Sequence, residues 1–405
     1  MKKLFSRFNW NGLALIFVLI CFVIGLAVAI HTITANNTLG SDFATFWIGA
    51  RSALLDGKSP YSSEVTRISQ LFIYHRLALP QEDQVSFAYP LPAVFILAPV
   101  AWMELAWAQA FWMSLNIVVL ITSLFFFFPK APGFIRFPFL LLYPVFFGII
   151  LGNFSILLTS FILLFLFWVY QQPKRDTRIQ CLCALLLGMI IIKPQFSWGY
   201  ILLALITGVK YRLRFFLSCL LGFSLLLMAA ATIWQPGWIL EWINTVRSYS
   251  VYTQARPFIF AFYQSLLPPN LAVLFSICSV ILCLGFLGWL TVAWWEHKIS
   301  GPVLPAWIGF LIYLVHPHGL SYEQLTFIIP FFYWVAAKPP SRRLTVLWTI
   351  VIVLSWVFFF LTNSGLIPNA VNDYPFIVYI AWLTWFLIRE RVFNIHTKIS
   401  LNPAN

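Results

Sequence analysis

Residues 12–31 read GLALIFVLICFVIGLAVAIH and decide the fold of this chain. They contain no Asp, Glu, Lys or Arg, and a helix needs roughly 20 apolar residues to cross the hydrocarbon core of a bilayer. A basic start at Lys2, Lys3 and Arg7 precedes them, but the run is longer than the roughly 7–15 apolar residues of a signal peptide. We therefore expect a retained first transmembrane helix that anchors the chain.

The same pattern recurs along the rest of the chain. Of its 405 residues, 61% are hydrophobic and only 9% are charged, which leaves too little polar surface to cover a soluble globule of this size. Repeated apolar runs predict an all-α integral membrane protein, because every backbone polar group in lipid needs an internal hydrogen bond. The apolar segments are 12–31, 89–103, 107–128, 137–150, 154–171, 179–192, 195–209, 215–233, 271–295, 302–318, 325–337, 344–362 and 376–389.

The basic residues indicate how these helices are oriented. The formal net charge is +13, but the Lys and Arg residues form small clusters between apolar segments, so we expect no nucleic acid partner. By the positive-inside rule the clusters mark cytoplasmic loops and place both termini in the cytoplasm. The clusters are Lys2/Lys3/Arg7, Lys174/Arg175/Arg178, Lys210/Arg212/Arg214, Lys338/Arg342/Arg343 and Arg389/Arg391/Lys398.

Two inside termini require an even number of crossings, whereas thirteen apolar segments are present. We therefore predict one polytopic membrane domain over 1–405, with about twelve spanning helices and a half-helix. The stretch 89–103 is the candidate for the half-helix because several prolines interrupt it. Two long loops, 32–88 and 234–270, fall on the extracytoplasmic side.

The first of these outer loops contains a predicted helix. From Asp42 to Leu55, apolar side chains recur at helical spacing until Asp56 and Gly57 end the pattern, which predicts an amphipathic helix in the outer interface. A carboxylate at Asp42 could deprotonate a sugar hydroxyl as it attacks an activated donor, which is general-base catalysis. Asp is also a favoured N-cap, and the two roles are compatible.

Other polar residues at predicted membrane depth are costly and need a reason. Lys193, next to Pro194, could bind a lipid phosphate, with a snorkelling side chain as the alternative. Asn153 could cap a helix beside an anion or mark a plain turn. Arg256 in the second outer loop runs against the positive-inside rule and suggests an anionic ligand, with a solvated loop residue as the alternative.

The segment His316-Pro317-His318 lies at the outer end of a predicted helix, with Glu323 close behind. Imidazoles there could donate to a phosphate leaving group or orient a base. A His-x-His pair also resembles a metal site, but two ligands without a clear third do not define one, so we assign no metal. Ordinary interfacial histidines are the alternative.

The order of these motifs resembles glycosyltransferase family 87, a group of polyprenol-phosphate-dependent mannosyltransferases. The resemblance spans roughly residues 12–330 and rests on order and spacing, because each motif is short. The motifs are Asp42-Phe43, Gly57-x-x-Pro60-Tyr61, Tyr89-Pro90-x-Pro92, Gly152-Asn153-x-Ser155, Lys193-Pro194 and a late His318.

The resemblance implies a GT-C-type helical bundle with interfacial helices in the first outer loop. It also implies inverting transfer of a hexose, with mannose as the family expectation, from a polyprenyl-phosphate donor to a lipid or glycan acceptor. No nucleotide sugar or other cofactor is implied, and the reaction would take place at the extracytoplasmic face of the cell membrane.

Roles for individual residues follow, those of Asp42 and His318 from the resemblance and the others from the charge and position of the residues themselves. Asp42 would be the catalytic base, and His318 a second catalytic residue. The donor phosphate would be bound by Lys193 and Arg256. The candidate substrate-binding residues are Arg51, Tyr61, Tyr89, Asn153 and Glu323. Family members often carry an Asp where this chain has Glu323, which leaves the role of that carboxylate open.

Two other classes of function remain open from the sequence. Transporters and lipid flippases also bind their substrates with polar residues and broken helices at membrane depth. Against that class, no inverted repeat is evident and the polar residues gather on one predicted side. A scaffold of envelope assembly is the third possibility, and it would leave Asp42 as a helix cap.

Overall fold

The computed structural model describes residues 10–36, 40–126, 139–171, 176–252, 257–299, 303–316, 321–326, 329 and 342–367. The regular structure of these residues is helical, without a strand among them. The helices are α1 (Trp10–Thr34), α2 (Ser41–Leu55), α3 (Ser63–Tyr74), α4 (Pro92–Ala101), α5 (Leu105–Phe126), α6 (Tyr143–Ile150), α7 (Ser155–Gln171), α8 (Thr177–Met189), α9 (Pro194–Lys210), α10 (Arg214–Trp234), α11 (Trp238–Tyr252), α12 (Phe258–Gln264), α13 (Pro269–Trp295), α14 (Val303–Val315) and α15 (Arg342–Asn363). Short 3-10 helices add Ile190–Ile192 and Ser321–Gln324.

Within the described ranges, 4 helices are long and apolar enough to cross a membrane. They lie in α1, α5, α10 and α13, and their apolar windows are Ala14–Thr34, Leu105–Phe125, Arg214–Trp234 and Pro269–Trp295. In α1 and in α13, only 11% of the apolar window is buried within the protein. Exposed apolar side chains such as Phe17 and Leu282 require lipid around them, so the prediction of a helical membrane protein is confirmed.

Shorter apolar helices accompany these four. The predicted half-helix is α4, which has 10 residues and is therefore about 15 Å long, half the thickness of a hydrocarbon core. Pro92 occupies its first turn and Pro99 lies inside it, where proline interrupts backbone hydrogen bonding. The predicted segments 325–337 and 376–389 lie largely or wholly outside the described residues.

The chain forms two compact units. The first comprises Met1–Phe126, Gly148–Leu157 and Met228–Thr253. Here α1 packs along α5, and the Ser114 hydroxyl donates a hydrogen bond to the Val23 carbonyl at 2.7 Å. Helix α2 packs against α4, and Gly49 lies so close to Phe87 that a Cβ would stand 2.5 Å from the ring.

Helix α2 begins and ends where the sequence predicts, but its surroundings differ from the prediction. Instead of presenting one apolar face at an interface, it is buried on most of its surface, including polar Thr45 and Ser52. The small residues Ala44, Gly49 and Ala50 allow neighbours to approach closely, because they leave room for facing side chains. Apolar residues recur at helical spacing in α3 instead, at Val65, Ile68 and Phe72, and the charged Glu64 and Arg67 of that helix are exposed.

The second unit comprises Phe127–Phe147, Leu158–Leu227 and Gln254–Asn405. Helix α14 packs against both α9 and α13, and Gly199 lies where a Cβ would be 2.6 Å from Ile308. Between α8 and α9 the chain passes through Ile190–Ile192 to Lys193, and Pro194 then begins α9. The predicted Lys-Pro break is therefore present, and it places Lys193 directly before a helix.

Candidate functional site

Asp42 lies at the start of α2, immediately after the first transmembrane helix in the chain. Helix α2 has Gly40 as its N-cap, so Asp42 occupies the first turn and is not the cap. Its carboxylate Oδ2 accepts a hydrogen bond from Asn153 Nδ2 at 2.9 Å. Both the amide donor and the position at a helix N-terminus favour the negatively charged carboxylate.

The segment Leu151–Asn153 is held against the start of α2 by backbone contacts. Phe43 N donates to the Leu151 carbonyl at 3.0 Å, and Trp112 Nε1 donates to the Gly152 carbonyl at 2.8 Å. Gly152 has φ +66, and a Cβ there would stand 2.6 Å from Phe43 Cβ. Glycine therefore meets two requirements at this position, a left-handed backbone and a close approach.

Asn153 is oriented by its second set of contacts. Its Oδ1 accepts hydrogen bonds from Ser155 N at 3.0 Å and from Ser155 Oγ at 2.9 Å. The first of these bonds provides an acceptor for a backbone N–H in the first turn of α7, and together they direct the amide nitrogen of Asn153 toward Asp42. The side chain is 1% exposed, so this orientation is fixed by burial as well as by hydrogen bonds.

An aromatic cluster lies beside this pair. Phe154 is within 5.4 Å, ring centroid to ring centroid, of Phe46, Tyr89 and Trp112. Phe43 stacks near Trp112 at 5.9 Å. The carboxylate of Asp42 therefore lies at the edge of an apolar region, where electrostatic interactions are stronger than in bulk water.

Two other predicted substrate-binding residues of the first unit make backbone contacts. Arg51 Nη1 donates to the Ala101 carbonyl at 2.9 Å, and its guanidinium lies 5.2 Å from the Trp47 ring centroid. It thus stabilises the carboxyl end of α4. Tyr61 Oη donates to the Tyr89 carbonyl at 2.7 Å.

The second unit contains a buried charged cluster. Lys193 Nζ lies 2.5 Å from Glu323 Oε1, and His316 Nε2 lies 3.2 Å from Glu323 Oε2. All three side chains are at most 2% exposed. Burial raises the pKa of Glu323, but the ammonium of Lys193, together with the neighbouring His316, outweighs it and lowers the pKa below its ordinary value. The carboxylate is therefore held ionised.

Aromatic and amide groups enclose this cluster. The ammonium of Lys193 lies 4.9 Å from the Tyr322 ring centroid and 5.6 Å from that of Phe196. Next to Glu323, Gln324 accepts a hydrogen bond from Tyr143 Oη at 2.8 Å. A buried ammonium on aromatic faces is stabilised by cation–π attraction as well as by its carboxylate.

Sequence and structure select different members of the His-Pro-His motif. The prediction favours His318, which lies outside the described residues, as does Arg256. The structure brings His316 onto Glu323 instead. The choice of His318 rests on the resemblance, and sequence position alone does not show which imidazole contacts a carboxylate.

Sequence reasoning also missed a polar network in the first unit. Ser59 donates to Glu241 Oε2 at 2.5 Å, and Gln235 Nε2 donates to Ser59 Oγ at 2.7 Å and to Glu241 Oε2 at 2.9 Å. No local motif could reveal it, because Ser59 and Glu241 are 182 residues apart. In the part of the chain that the structure describes, no group of three His, Cys, Asp or Glu residues could hold a metal ion.

Comparison of this chain with known protein families, with curated proteins and with solved structures finds no match in any of the three. The helices define it as a helical membrane protein. Four of the polar residues that the sequence singles out form two pairs, Asp42 with Asn153 and Lys193 with Glu323.

Proposed function

We propose that this chain is a membrane glycosyltransferase of the GT-C type, belonging to the family that its motif order resembles. It transfers a hexose, with mannose the first candidate, from a polyprenyl-phosphate donor to a lipid or glycan acceptor at the extracytoplasmic face. The observation that carries this assignment is the carboxylate of Asp42, oriented by Asn153 directly after the first transmembrane helix.

Asp42 acts as the general base in this reaction. The acceptor hydroxyl oxygen attacks the anomeric carbon of the donor, the bond from that carbon to the phosphate oxygen breaks, and the hydroxyl proton passes to Asp42. The polyprenyl phosphate leaves with the bonding electron pair. A single displacement inverts the anomeric centre, and the Asn153 amide holds the carboxylate in orientation for proton transfer.

Cations near the donor phosphate stabilise the leaving group. Lys193 and Arg256 are the candidates, and His318 donates a proton or hydrogen bond to the phosphate. The ammonium of Lys193 already contacts Glu323 at 2.5 Å, so a phosphate would share that ammonium with the carboxylate. A shared cation binds a phosphate more weakly than a free one.

The test is a transfer assay with the purified protein in lipid. Radiolabelled polyprenyl-phosphate mannose serves as donor, and a membrane lipid extract serves as acceptor. We expect label in a new glycolipid, with the anomeric configuration of the transferred sugar opposite to that of the donor. A folded protein that transfers none of a panel of polyprenyl-phosphate sugars contradicts the assignment.

A second candidate function is transport, and the buried cluster of Lys193, Glu323 and His316 favours it. Ionisable side chains inside a membrane protein commonly mark substrate or proton pathways. A transporter or lipid flippase would use this cluster rather than Asp42.

Reconstituted vesicles distinguish the two functions. A fluorescent polyprenyl phosphate in the outer leaflet is bleached by added dithionite, and movement between leaflets changes the protected fraction. Transport predicts movement that persists in Asp42→Asn and is lost in Glu323→Gln. A glycosyltransferase should not accelerate movement of the lipid between leaflets, whether as wild type, Asp42→Asn or Glu323→Gln.

A further inference from the structure

The first unit contains a polar cavity whose lining includes neither Asp42 nor Asn153. Its volume is about 650 Å³, within the range of roughly 300–1,000 Å³ typical of small-molecule sites. One wall comes from the segment around α3 and the other from α11. Carboxamides and hydroxyls dominate the lining, among them those of Gln70, Gln84, Asn244, Ser86, Thr245 and Ser248.

Specific contacts fix the two walls. The network of Ser59, Gln235 and Glu241 ties the start of α11 to the segment that precedes α3. Trp242 Nε1 donates to the Ala88 carbonyl at 3.1 Å. The bonds from Trp242 to Ala88 and from Ser59 to Glu241 join residues more than 150 positions apart, so the cavity is preformed by tertiary structure and is not a gap along one loop.

The charges on the lining balance each other. Arg67 and Glu241 are the charged side chains among the lining residues, one of each sign. An anionic ligand would meet the Glu241 carboxylate, and a cationic one would meet the Arg67 guanidinium. A neutral ligand avoids both penalties and can accept from one group and donate to the other.

Two tyrosines add apolar surface to this polar lining. Tyr61 and Tyr252 both line the cavity, and burial raises the pKa of each hydroxyl above its ordinary value. Both therefore stay protonated at neutral pH. A tyrosine ring offers an apolar face together with one polar atom, and this combination suits a sugar ring, which has C–H faces and a rim of hydroxyls.

We infer that this cavity binds a neutral saccharide of one to a few rings. A dense set of amide and hydroxyl groups, balanced charge and two aromatic rings match a ligand that is rich in hydroxyls and carries no charge. The inference goes beyond the transfer reaction, because binding here needs no action by Asp42. If the chain is a glycosyltransferase, this cavity is where the glycan of an acceptor would lie.

Ser248 and Ser250 provide a matched pair for the test. Both are exposed serines on α11, and only Ser248 lines the cavity. The Ser248→Trp variant fills the cavity, whereas Ser250→Trp adds the same bulk elsewhere on the same helix. Asn244→Leu is a second variant that removes a lining amide without adding bulk.

Binding is measured on the full chain in nanodiscs by saturation-transfer NMR, with mannobiose, maltose and cellobiose as probes. Purification avoids glycoside detergents, because their head groups are themselves neutral sugars. We expect saturable binding of at least one disaccharide by wild type, Ser250→Trp and Asp42→Asn. In Ser248→Trp and Asn244→Leu the affinity should fall about tenfold or more, equivalent to about 1.4 kcal/mol.

Two results would overturn the inference. One is the absence of saturable binding of every probe by folded wild-type protein. The other is unchanged affinity in both Ser248→Trp and Asn244→Leu when their unfolding midpoints match that of Ser250→Trp. Because Asp42→Asn is expected to bind, failure of the transfer reaction leaves the binding result interpretable on its own.

Discussion

The side-chain amide of Asn153 donates a hydrogen bond to the carboxylate of Asp42 across 2.9 Å, although the two residues are 111 positions apart in the chain. The same amide group accepts from Ser155 through its oxygen. Asn153 therefore links the start of α7 to the start of α2. The hydrogen bond of its amide nitrogen and the hydrogen bonds of its amide oxygen can be tested separately.

Replacing Asn153 by Asp should impair transfer more than it impairs folding. The new carboxylate can still accept from Ser155, but it loses the donor to Asp42 and brings a like charge beside it. Loss of a hydrogen bond to a charged group costs about 1.5–3 kcal/mol, so the transfer rate should fall roughly tenfold or more. Ser155→Ala is the control, since it removes one bond at the other end of the amide, and normal turnover in Asn153→Asp would contradict the positioning role.

Gly152→Ala should destabilise the protein far more than Gly57→Ala. Both glycines have left-handed backbones, with φ +66 and +62, but a Cβ at Gly57 meets nothing within 4 Å. Strain alone should cost about 1 kcal/mol at Gly57, and strain plus collision with Phe43 roughly 3 kcal/mol at Gly152. Thermal unfolding in detergent checks the order, and equal midpoints would show that the 151–153 segment is not packed as described.

The ion pair of Lys193 and Glu323 should show strong coupling in a double-mutant cycle. Lys193→Met or Glu323→Leu alone removes one member of a buried ion pair, which typically costs about 3–5 kcal/mol. The double variant should be more stable than the two single losses together predict, because apolar pairs often replace buried ion pairs without loss. Additive effects on the unfolding free energy would exclude a direct interaction.

The pH dependence of stability should follow from the same pair. Lys193, together with His316, lowers the pKa of Glu323 despite its burial, so its ionised form stabilises the folded state. For a carboxyl whose pKa is depressed on folding, this contribution is complete above the unfolded value of 4.5 and is lost as the pH falls below it. Acid should therefore lower the unfolding midpoint of wild type more steeply than that of Lys193→Met/Glu323→Leu.

Arg51→Ala should reduce stability while leaving the KM for the donor unchanged. The variant loses the bond to the Ala101 carbonyl and the stacking on Trp47, a loss of about 2 kcal/mol. Arg51→Lys should recover only part of it, because an ammonium lacks the planar fork of guanidinium. A raised KM with an unchanged unfolding midpoint would instead favour the substrate-binding role predicted for Arg51 from the sequence.

The ends of helices and the breaks between them can be predicted from the sequence when neighbouring residues determine them. The ends of α2 follow from an apolar spacing that stops at Asp56 and Gly57, and the break at Lys193 follows from the adjacent proline. How deeply α2 is buried does not follow, because periodicity shows which faces are apolar and not how many neighbours cover them.

The composition of the two polar pairs lies beyond what the sequence alone can predict. Asp42, Asn153, Lys193 and Glu323 each stand out as polar residues near membrane segments. Their pairing depends on tertiary contacts between distant parts of the chain, such as the 111 positions between Asp42 and Asn153, and no local pattern records such contacts.

The most direct test of the central claim compares Asp42→Asn with Asp56→Asn in single-turnover transfer from polyprenyl-phosphate mannose. The two changes are the same and lie at opposite ends of α2, but only Asp42 contacts Asn153. Removal of a general base typically costs roughly 100-fold or more in rate, so we expect that loss in Asp42→Asn and wild-type turnover in Asp56→Asn, with equal unfolding midpoints. Full transfer activity in Asp42→Asn would contradict the assignment of Asp42 as the base.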